Sequence, residues 1–402
     1  IGSGLVGSEM CIRDRDKYDI LVTNFEGFRI VNEMLGVNGG NIILKQVGKA
    51  LNVIDNKIGI IYGRMEGDKF AILIKSAKLP DGLKLIKESI DKIINRTPLI
   101  LKIGIANILD YNIESAYERA IKTLHYIAHD YSKAIALYDE KVNESYIRSQ
   151  NLILDFDDAI KDHQFLVYLQ PQINFYDNTI IGAEALIRWH HPKYGMIPPS
   201  EFIPLFEKNM MINRLDMFVW EEACRFLKKW SDDEYKKLSI SVNISTKDFY
   251  LIDVVSTIIG LKDKYQIETN RLKLEITESA FVNDQDLLIK NVVALQKAGF
   301  IVEMDDFGSG YSSFNSLKDI PIDVLKLDMK FLDGDINNKK TSEILTSVIS
   351  MAHRINLPVI AEGVETKEQC ELLHEIDCDL IQGYYYSCLL YTSPSPRDRS
   401  LS

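Results

Sequence analysis

The residues with the clearest chemical potential in this chain are two adjacent acids, Asp305 and Asp306. They follow the mainly apolar run 300–304 and precede two glycines, Gly308 and Gly310. This order predicts a strand that ends in a flexible loop close to a ligand. Because adjacent acids repel each other unless a cation lies near them, we expect the ligand to include positive charge. The alternative is a solvated Asp-Phe-Gly turn.

The same pattern recurs along the C-terminal part of the chain, where apolar runs of strand length carry polar residues at or near their ends. These residues are Glu184, Asn243, Glu275, Glu278, Lys326, Asp328 and Glu362. Stretches long enough for a helix separate most of the runs, which is typical of parallel strands joined by helical crossovers. In a closed barrel of that kind, the C-terminal ends of the strands meet on one face. We therefore predict a ring of acids on that face.

Length and composition limit the classes of protein to which the chain can belong. Its 402 residues can hold two or three domains. The formal net charge of −11 argues against a general nucleic-acid-binding surface. The five cysteines form no CxxC pair, which suits a reducing compartment and argues against structural zinc. Because no run of about 18 apolar residues occurs, we predict no membrane span and a cytoplasmic protein.

Both ends differ in pattern from the residues beside them. Residues 1–15 and 388–402 each contain Arg-Asp-Arg and resemble translated sequencing-adapter or vector sequence. We therefore expect two non-native tails and a native protein that is longer at both ends. An upstream sensor or membrane anchor would then be missing from this chain.

Residues 16–142 are predicted to form a first unit of the α+β type. The pattern predicts strands at 20–22, 58–62, 69–74 and 100–106, and helices at 28–35, 41–53, 82–94 and 113–130. Residues 63–68 would join the second and third strands as a hairpin. A linker over 143–151 is expected to lead into a second unit, 152–387.

The first unit resembles a GGDEF domain, the diguanylate cyclase family, over nearly its whole length. The resemblance includes Arg64 before the predicted turn and the run 103–106 near the end of the unit. The signature turn departs from the family pattern, in which Gly-Gly-Asp-Glu precedes the phenylalanine. The residues that stand there are Glu66, Gly67, Asp68 and Lys69.

Three asparagines complete the degenerate cyclase site that this resemblance implies. Asn24 takes the place of a metal-binding aspartate and Asn41 that of a guanine-contacting residue, whereas Asn32 keeps a guanine contact of the family. Because Lys69 puts an ammonium where carboxylates should hold Mg²⁺, we expect no cyclase activity. Residual GTP binding stays open, and the alternative is a structural or dimerising platform.

The second unit resembles an EAL domain, the family of phosphodiesterases that cut cyclic di-GMP to linear pGpG. The motifs that carry the resemblance agree in order and approximate spacing: Gln170-Pro171, Glu184-Ala185-Leu186 with Arg188, Asn243, Glu275-Ile276-Thr277-Glu278, Asp305-Asp306-Phe307-Gly308, Lys326, Glu362-Gly363-Val364-Glu365 and Gln382-Gly383-Tyr384. They imply an α/β fold, a modified TIM (β/α)8 barrel with an antiparallel first strand. The link 174–179 agrees, since it is too short for a helical crossover.

The resemblance also implies the roles of individual residues. The metal ligands would be Glu184, Asn243, Glu275, Asp305, Asp306 and Glu362. All are oxygen ligands, which Mg²⁺ and Mn²⁺ prefer, and two such ions per site can activate a water and hold phosphate oxygens. The catalytic residues would be Lys326, Glu184, Asp305 and Glu278. The substrate-binding residues would be Gln170, Arg188, Gln382 and, through guanine, Asp216.

Structural roles are the alternatives for several of these residues. Lys326 could be a salt-bridge partner within the acidic ring, and Asn243 could satisfy backbone groups at a strand end. Glu278 and Glu365 could cap helices. Phe218 and its aromatic neighbours on a helix from about residue 213 are typical of a core or an interface.

Two functions from different classes remain. The first is metal-dependent hydrolysis of cyclic di-GMP, with a silent GGDEF-like regulatory domain. The second is a non-catalytic cyclic di-GMP receptor that signals through protein partners. Such receptors typically lose metal ligands, whereas this sequence keeps every position that can be matched, which favours the enzyme. The family and the apolar helix near Phe218 also predict a homodimer through the EAL domain.

Overall fold

The chain divides into two units, residues 1–152 and 153–402. This computed structural model describes residues 17–109, 112–128, 130, 132–232, 234–282, 284–308, 320–328, 339–385 and 390–391. The predicted tail 1–15 lies outside these ranges, as does the predicted tail 388–402 apart from Leu390–Tyr391. None of the described helices has the length and apolar character that crossing a membrane requires.

The first unit is a five-stranded mixed sheet with helices on both faces. Its strands are β1 (Tyr18–Glu26), β2 (Ile61–Arg64), β3 (Phe70–Lys75), β4 (Ile100–Asn107) and β5 (Ile135–Leu137). Its helices are α1 (Phe28–Ile58), α2 (Leu79–Ile94), α3 (Ile113–Tyr126) and α4 (Glu140–Leu154), the last of which continues past the division between the units. The strand order is β2-β3-β1-β4-β5, and β1 pairs antiparallel with both β3 and β4.

The central strand β1 shows why both faces of this sheet are covered. Successive side chains of a strand point to opposite faces. Leu21 and Phe25 join a core with residues of α1 and α2 such as Leu51. Ile20 and Val22 pack instead with residues of α3. The predicted α+β unit is therefore confirmed, with β1 buried on both sides.

The boundaries of α1 differ from the prediction. The sequence predicts two helices, 28–35 and 41–53, whereas the structure has one helix with a kink at Gly36, where φ is 71°. A positive φ is readily adopted by glycine, so the break is confined to that residue. Gly40 stays helical and lies against Asn32, where a Cβ would come within 2.2 Å of Oδ1. Because α1 extends to Ile58, β2 starts later than predicted.

The second unit is a closed barrel of eight strands. The barrel strands are β6 (Phe165–Asn174), β7 (Ile180–His191), β9 (Ser239–Asn243), β10 (Leu272–Thr277), β11 (Ile301–Phe307), β12 (Val324–Asp328), β13 (Val359–Glu362) and β14 (Leu380–Ile381). The described helices are α5 (Phe156–Lys161), α6 (Pro199–Lys208), α7 (Ile212–Lys229), α8 (Asp248–Leu251), α9 (Val254–Tyr265), α10 (Gln285–Lys297), α11 (Lys339–Arg354) and α12 (Lys367–Glu375). Two short strands, β8 (Gly195–Ile197) and β15 (Leu390–Tyr391), pair with β7 and β6 respectively.

The pairing of β6 closes this barrel. It pairs antiparallel with β7 on one side and with β14 on the other, whereas the neighbours from β7 and β9 round to β13 and β14 all pair in parallel. This confirms the predicted modified TIM barrel with an antiparallel first strand. The C-terminal ends of the seven parallel strands therefore share one end of the barrel.

The structure corrects the predicted end of β11. The sequence predicts a strand that ends before Asp305 and Asp306, whereas β11 continues to Phe307. Its pairing with β12 shifts between Met304 and Phe307, so the two acids occupy a β-bulge. Asp306 adopts φ 56°, a left-handed conformation that costs a non-glycine residue about 1–2 kcal/mol. Because a bulge changes the direction of side chains, consecutive acids can approach the same end of the barrel.

Candidate functional site

Lys326 lies at the centre of a carboxylate cluster inside the barrel. Its side chain is fully buried, and its Nζ is 2.7 Å from Glu275 Oε2 and 2.5 Å from Glu362 Oε1. Glu184 Oε2 and Asp305 Oδ1 each lie 3.4 Å from the same nitrogen. We call Lys326 and these four carboxylates the acidic ring. Each member comes from a different strand, and the ring carries fewer positive than negative groups when all are ionised.

Side-chain amides fix the position of Glu184 within the acidic ring. Asn243, at the end of β9, donates from Nδ2 to Glu184 Oε1 over 3.2 Å. Gln382, just after β14, donates from Nε2 to Glu184 Oε2 and also to Gln170 Oε1, the latter over 3.1 Å. Trp220 of α7 donates from Nε1 to the carbonyl of Asn243 over 2.9 Å. The structure thus gathers four of the residues that the sequence analysis placed in one site: Gln170, Glu184, Asn243 and Gln382.

The bulge in β11 brings a second group of acids to this end of the barrel. The pKa of Asp306 is raised by burial and then by the charges of Asp305 and Asp328. Glu278, one residue beyond β10, accepts a hydrogen bond from the amide of Gly308 over 3.2 Å. Glu278 therefore holds the start of the loop that follows the two adjacent acids. The remainder of that predicted loop, 309–313, lies outside the described residues.

Burial dominates the electrostatics of the acidic ring. It raises the pKa of Glu362 to about 8, although the Lys326 charge opposes that shift. Burial, followed by the Glu184 charge, also raises the pKa of Glu275 well above its ordinary range. For Lys326, burial alone would lower the pKa, but the surrounding carboxylates outweigh it and raise the pKa. Removing charged groups from water is unfavourable, so an added cation would relieve the ring of its excess negative charge.

The donor chemistry of the ring fits hard divalent cations. Its ligating atoms are oxygens, and Oε1 of Glu275 is buried without a hydrogen-bond donor. In the described part of the chain, however, no three acidic, histidine or cysteine side chains are already arranged around a common metal position. The Lys326 ammonium stands between the carboxylates instead.

Two predicted substrate-binding residues make other contacts. Arg188 lies on β7, four residues beyond Glu184, and its Nη1 donates to the carbonyl of Ile187 over 2.8 Å. Asp216 of α7 shares a hydrogen bond with Asp248, and its pKa is raised well above the usual range by burial and then by the Asp248 charge. Burial also raises the pKa of Asp248 to about 6. Two carboxyls that hydrogen-bond to each other must share a proton.

The sequence analysis missed a second polar level inside the barrel. We call Gln172, Ser241, Lys273 and Glu303 the lower tier. Ser241 Oγ donates to Glu303 Oε2 over 2.9 Å, Lys273 Nζ lies 3.0 Å from Glu303 Oε1, and Gln172 Nε2 donates to Ser241 Oγ over 3.3 Å. The alternation of strand residues could have revealed it, because Lys273 and Glu303 stand two residues before Glu275 and Asp305.

Comparison with known families decides which fold family this barrel represents. The family model of the EAL domain matches residues 154–388, which is more than half of the chain. The chain belongs to the EAL-domain family. A second family model, the GGDEF domain of diguanylate cyclases, matches residues 8–125. The resemblances inferred from the sequence motifs of both units are thereby confirmed.

Curated relatives that match nearly the whole of this chain are longer than it is. MucR of Pseudomonas aeruginosa, named a bifunctional diguanylate cyclase/cyclic di-GMP phosphodiesterase, is 29% identical over 98% of this chain and 58% of its own length. NbdA of the same organism, named a cyclic di-GMP phosphodiesterase, is 28% identical over 92% of this chain and 48% of its own length. This EAL-domain chain thus spans about half the length of these relatives.

Solved structures agree with the assignment of the EAL domain. The MucR phosphodiesterase in complex with c-di-GMP is 32% identical, with a TM-score of 0.58, and covers 60% of this chain and 98% of that chain. An S helix-GGDEF-EAL structure of Vibrio cholerae LapD, bound to c-di-GMP, covers 96% of this chain and 92% of the other with a TM-score of 0.66. Its identity of 18% limits that likeness to the fold.

In the GGDEF domain, the signature turn is a short exposed hairpin loop. Glu66 and Gly67 are exposed, and Lys69 donates from its amide to the Glu66 carbonyl over 3.3 Å. Asp68 accepts a hydrogen bond from the amide of Phe25 over 3.1 Å, directly beside Asn24. The turn and Asn24 are therefore close together, as the resemblance implies, and the Asp68 carboxylate accepts a hydrogen bond from the backbone.

The other two asparagines of the degenerate cyclase site lie on α1. Asn32 and Asn41 are both partly buried. The Oδ1 atom of Asn32 is buried beside Gly40, in the stretch between the kink and Asn41. Residual GTP binding at these asparagines stays a prediction.

Proposed function

We propose that the EAL domain hydrolyses cyclic di-GMP to linear pGpG with two Mg²⁺ or Mn²⁺ ions per active site. The observation that carries this proposal is the acidic ring, in which four carboxylates from four strands face one buried ammonium. A phosphodiester is itself anionic, so it can approach the ring only if cations offset the negative charge. The cyclic di-GMP phosphodiesterases named among the relatives support the choice of substrate.

The residues that would hold the metal ions are Glu184, Asn243, Glu275, Asp305, Asp306 and Glu362. When bound, the ions would lower the pKa of a coordinated water and offset charge on the scissile phosphate. The chain supplies the support for these ligands. Asn243 and Gln382 hold Glu184 by hydrogen bonds, and Glu278 holds the loop after Asp306 through Gly308.

Lys326 supplies a fixed positive charge to this reaction. Its side chain is fully buried and its pKa is raised, so it stays protonated and can donate to a phosphate oxygen or an attacking water. Arg188, farther along β7, would clamp a phosphate oxygen through its guanidinium. Gln170 would contact substrate beside Gln382, and Asp216 would face a guanine. These roles rest on the family resemblance together with the positions described above.

The experiment that tests the proposal is turnover of cyclic di-GMP by the purified chain with Mg²⁺, with Mn²⁺ and with chelator, with pGpG followed by chromatography. We expect metal-dependent pGpG that is lost in Glu184→Ala. Glu268→Ala is the matched control, because Glu268 is an exposed acid that precedes β10, away from the C-terminal ends of the strands. Tight binding of cyclic di-GMP without product, in a folded protein, would contradict hydrolysis and favour the receptor function.

The first unit is proposed to be a catalytically silent regulatory GGDEF domain. Lys69 and Asn24 leave the degenerate site without two carboxylates that the family uses for Mg²⁺. Because the name of MucR includes cyclase activity, incubation with GTP is a direct test. Formation of cyclic di-GMP from GTP by this chain would contradict the proposal. Binding of GTP without product would support a regulatory nucleotide site.

Homodimerisation through the EAL domain also stays a proposal. Trp220 is fully buried, and the Phe218 ring lies 6.4 Å from that of Phe165, so these aromatic side chains pack within the unit. The proposal therefore rests on the family resemblance. A monomeric mass at micromolar concentration, with and without cyclic di-GMP, would contradict it. The functional boundaries 16–142, 143–151 and 152–387 and a cytoplasmic location are proposed on the same basis.

A further inference from the structure

The lower tier places a buried ion pair where barrels usually have apolar packing. The interior of a TIM barrel is filled mainly by bulky branched side chains. Here Glu303 is fully buried, and both of its carboxylate oxygens have partners, Lys273 Nζ at 3.0 Å and Ser241 Oγ at 2.9 Å. Lys273 is also buried, with 8% of its surface exposed. The pair is thus desolvated, and each carboxylate oxygen of Glu303 has a close partner.

Each member of the lower tier stands two residues from a residue of the proposed site on the same strand. Ser241 precedes Asn243 on β9, Lys273 precedes Glu275 on β10, and Glu303 precedes Asp305 on β11. Side chains two apart on a strand point to the same face. The hydrogen bonds of the lower tier therefore join three strands immediately before the points where they present proposed metal ligands.

Among the lower-tier residues, Glu303 lies directly before the β-bulge that contains Asp305 and Asp306. Glu303 pairs in register with Val324 of β12, and the register shifts two residues later, where Asp305 and Asp306 lie. Asp306 also holds an unfavourable left-handed conformation. A side chain that is fixed on both oxygens directly before an irregular segment limits how far that segment can move. The contacts of Glu303 thereby constrain the direction of Asp305.

The stability of the folded domain does not by itself explain why a buried ion pair is present at this position. Replacing a buried ion pair by apolar residues of similar volume is often neutral or stabilising, because desolvation offsets the attraction between the charges. In metal sites, groups behind the ligands orient them, and their loss typically weakens metal affinity or activity by about 10–100-fold. The two explanations differ in what an apolar replacement should do.

We propose that Lys273 and Glu303, with Ser241, are positioning residues that hold Glu275, Asn243 and Asp305 in the arrangement that binds divalent cations. This inference rests on the proposed function, since it assumes that the acidic ring receives metal ions. The contacts among these three residues, beneath the ligands, would then determine how tightly the site binds metal. None of the three residues needs to touch metal or substrate.

The test compares two double variants with the parent chain. In Lys273→Met/Glu303→Leu the pair becomes apolar at similar volume, and in Lys273→Gln/Glu303→Gln the charges are lost but hydrogen bonds to Ser241 and between the two side chains remain available. Lys367→Met/Glu371→Leu is the control, because it removes an exposed ion pair of 3.2 Å on α12. The readouts are Mn²⁺ affinity by electron paramagnetic resonance and thermal unfolding in the presence of chelator.

We expect the apolar variant to unfold near the parent temperature but to bind Mn²⁺ about 10–100-fold more weakly. The diglutamine variant should recover most of the affinity, and the α12 control should match the parent. Parent-like Mn²⁺ affinity in the apolar variant would overturn the inference. So would a loss of affinity that is matched by loss of the folded state in both double variants, because the pair would then be structural.

Failure of the proposed function gives a different result. A parent chain that binds Mn²⁺ but forms no pGpG contradicts hydrolysis, while the affinities of the variants still decide the role of the lower tier. A parent chain that binds no Mn²⁺ overturns both proposals, because there is then no metal site to position.

Discussion

The acidic ring of the EAL domain and the signature turn of the GGDEF domain are both polar sites, but they are built differently. The ring collects carboxylates from four strands around the buried Lys326, which lies on a fifth. The turn presents consecutive residues, from Glu66 to Lys69, at a hairpin in which Glu66 and Gly67 are exposed and Asp68 and Lys69 are half-buried. In the ring, carboxylates outnumber the ammonium. In the turn, an ammonium stands where the family has an acid.

This difference shows how burial decides the effect of a charge. An excess of buried carboxylates cannot be relieved by water, so it favours protons, Lys326 or metal ions as partners. The exposed turn is solvated, and a single lysine suffices to remove the local attraction for a cation. We therefore expect substitutions in the ring to have large effects and the reversal of Lys69 to have almost none.

The largest effect is expected for Lys326→Met. This variant leaves the carboxylates of the ring without their buried partner, so activity should fall by about 10²–10³-fold or more. Without metal, breaking a buried ion pair on one side should destabilise the domain by about 3–5 kcal/mol. The measurements are pGpG formation with Mn²⁺ and urea denaturation with chelator. Parent-like activity would show that the lysine is not part of the reacting site.

A smaller effect is expected for Trp220→Phe. The indole donates to the carbonyl of Asn243 over 2.9 Å, and phenylalanine cannot replace that hydrogen bond. Because groups behind a ligand orient it, Mn²⁺ affinity should fall by about tenfold or more. Trp230→Phe is a matched control, since Trp230 lies at the end of α7. Equal losses of affinity in the two variants would point to general damage to the helix.

The pair Asp216 and Asp248 should give the EAL domain a measurable pH dependence. The pKa of Asp248 is about 6 in the folded protein, against 3.8 ordinarily. The folded state therefore binds more protons than the unfolded state between about pH 4 and 6, and stability should fall as pH rises through that window. Asp248 should lower the free energy of unfolding by about 3 kcal/mol across this window, because its pKa differs by about two units between the folded and unfolded states.

Asp248→Asn tests this directly, because an amide can keep the contacts of the protonated acid without titrating. In urea denaturation from pH 4 to 7, the decline should be smaller in the variant than in the parent by the contribution of Asp248, while other carboxyls with a raised pKa, such as Glu362, keep their contribution. A variant with the same decline would mean that other groups cause it. Asp253→Asn is the control, since Asp253 caps α9 and its pKa is lowered by hydrogen bonds from Ser256.

The smallest effect is expected for Lys69→Glu. This change restores one acid to the turn, but Asn24 still lacks the charge of a metal-binding aspartate. Synthesis of cyclic di-GMP from GTP should therefore remain undetectable. The double variant Asn24→Asp/Lys69→Glu shows whether the two positions suffice together. Synthesis by the single variant would overturn our account of the first domain and remove the contrast with the acidic ring.

The sequence by itself determined the two domain families, the parallel barrel and the identity of the polar residues at its strand ends. Those features are local, since apolar runs, glycine and the spacing of motifs can be recognised along the chain. The antiparallel first strand was also predictable, because the link 174–179 is too short for a helix. The extent of α1 was not, because Gly39 and Gly40 look like loop residues although they are helical.

The tertiary structure alone decided which charges meet. The sequence suggested Lys326 as a salt-bridge partner in the acidic ring, but it could not show which carboxylates would surround it. Nor could it show that Asp216 would share a proton with Asp248, or that β11 would continue through its two acids in a bulge. The lower tier was missed as well, although the two-residue spacing of Lys273 from Glu275 and of Glu303 from Asp305 could have indicated it. These features depend on strand stagger and on contacts between residues far apart in the chain, and burial then sets the pKa of each group.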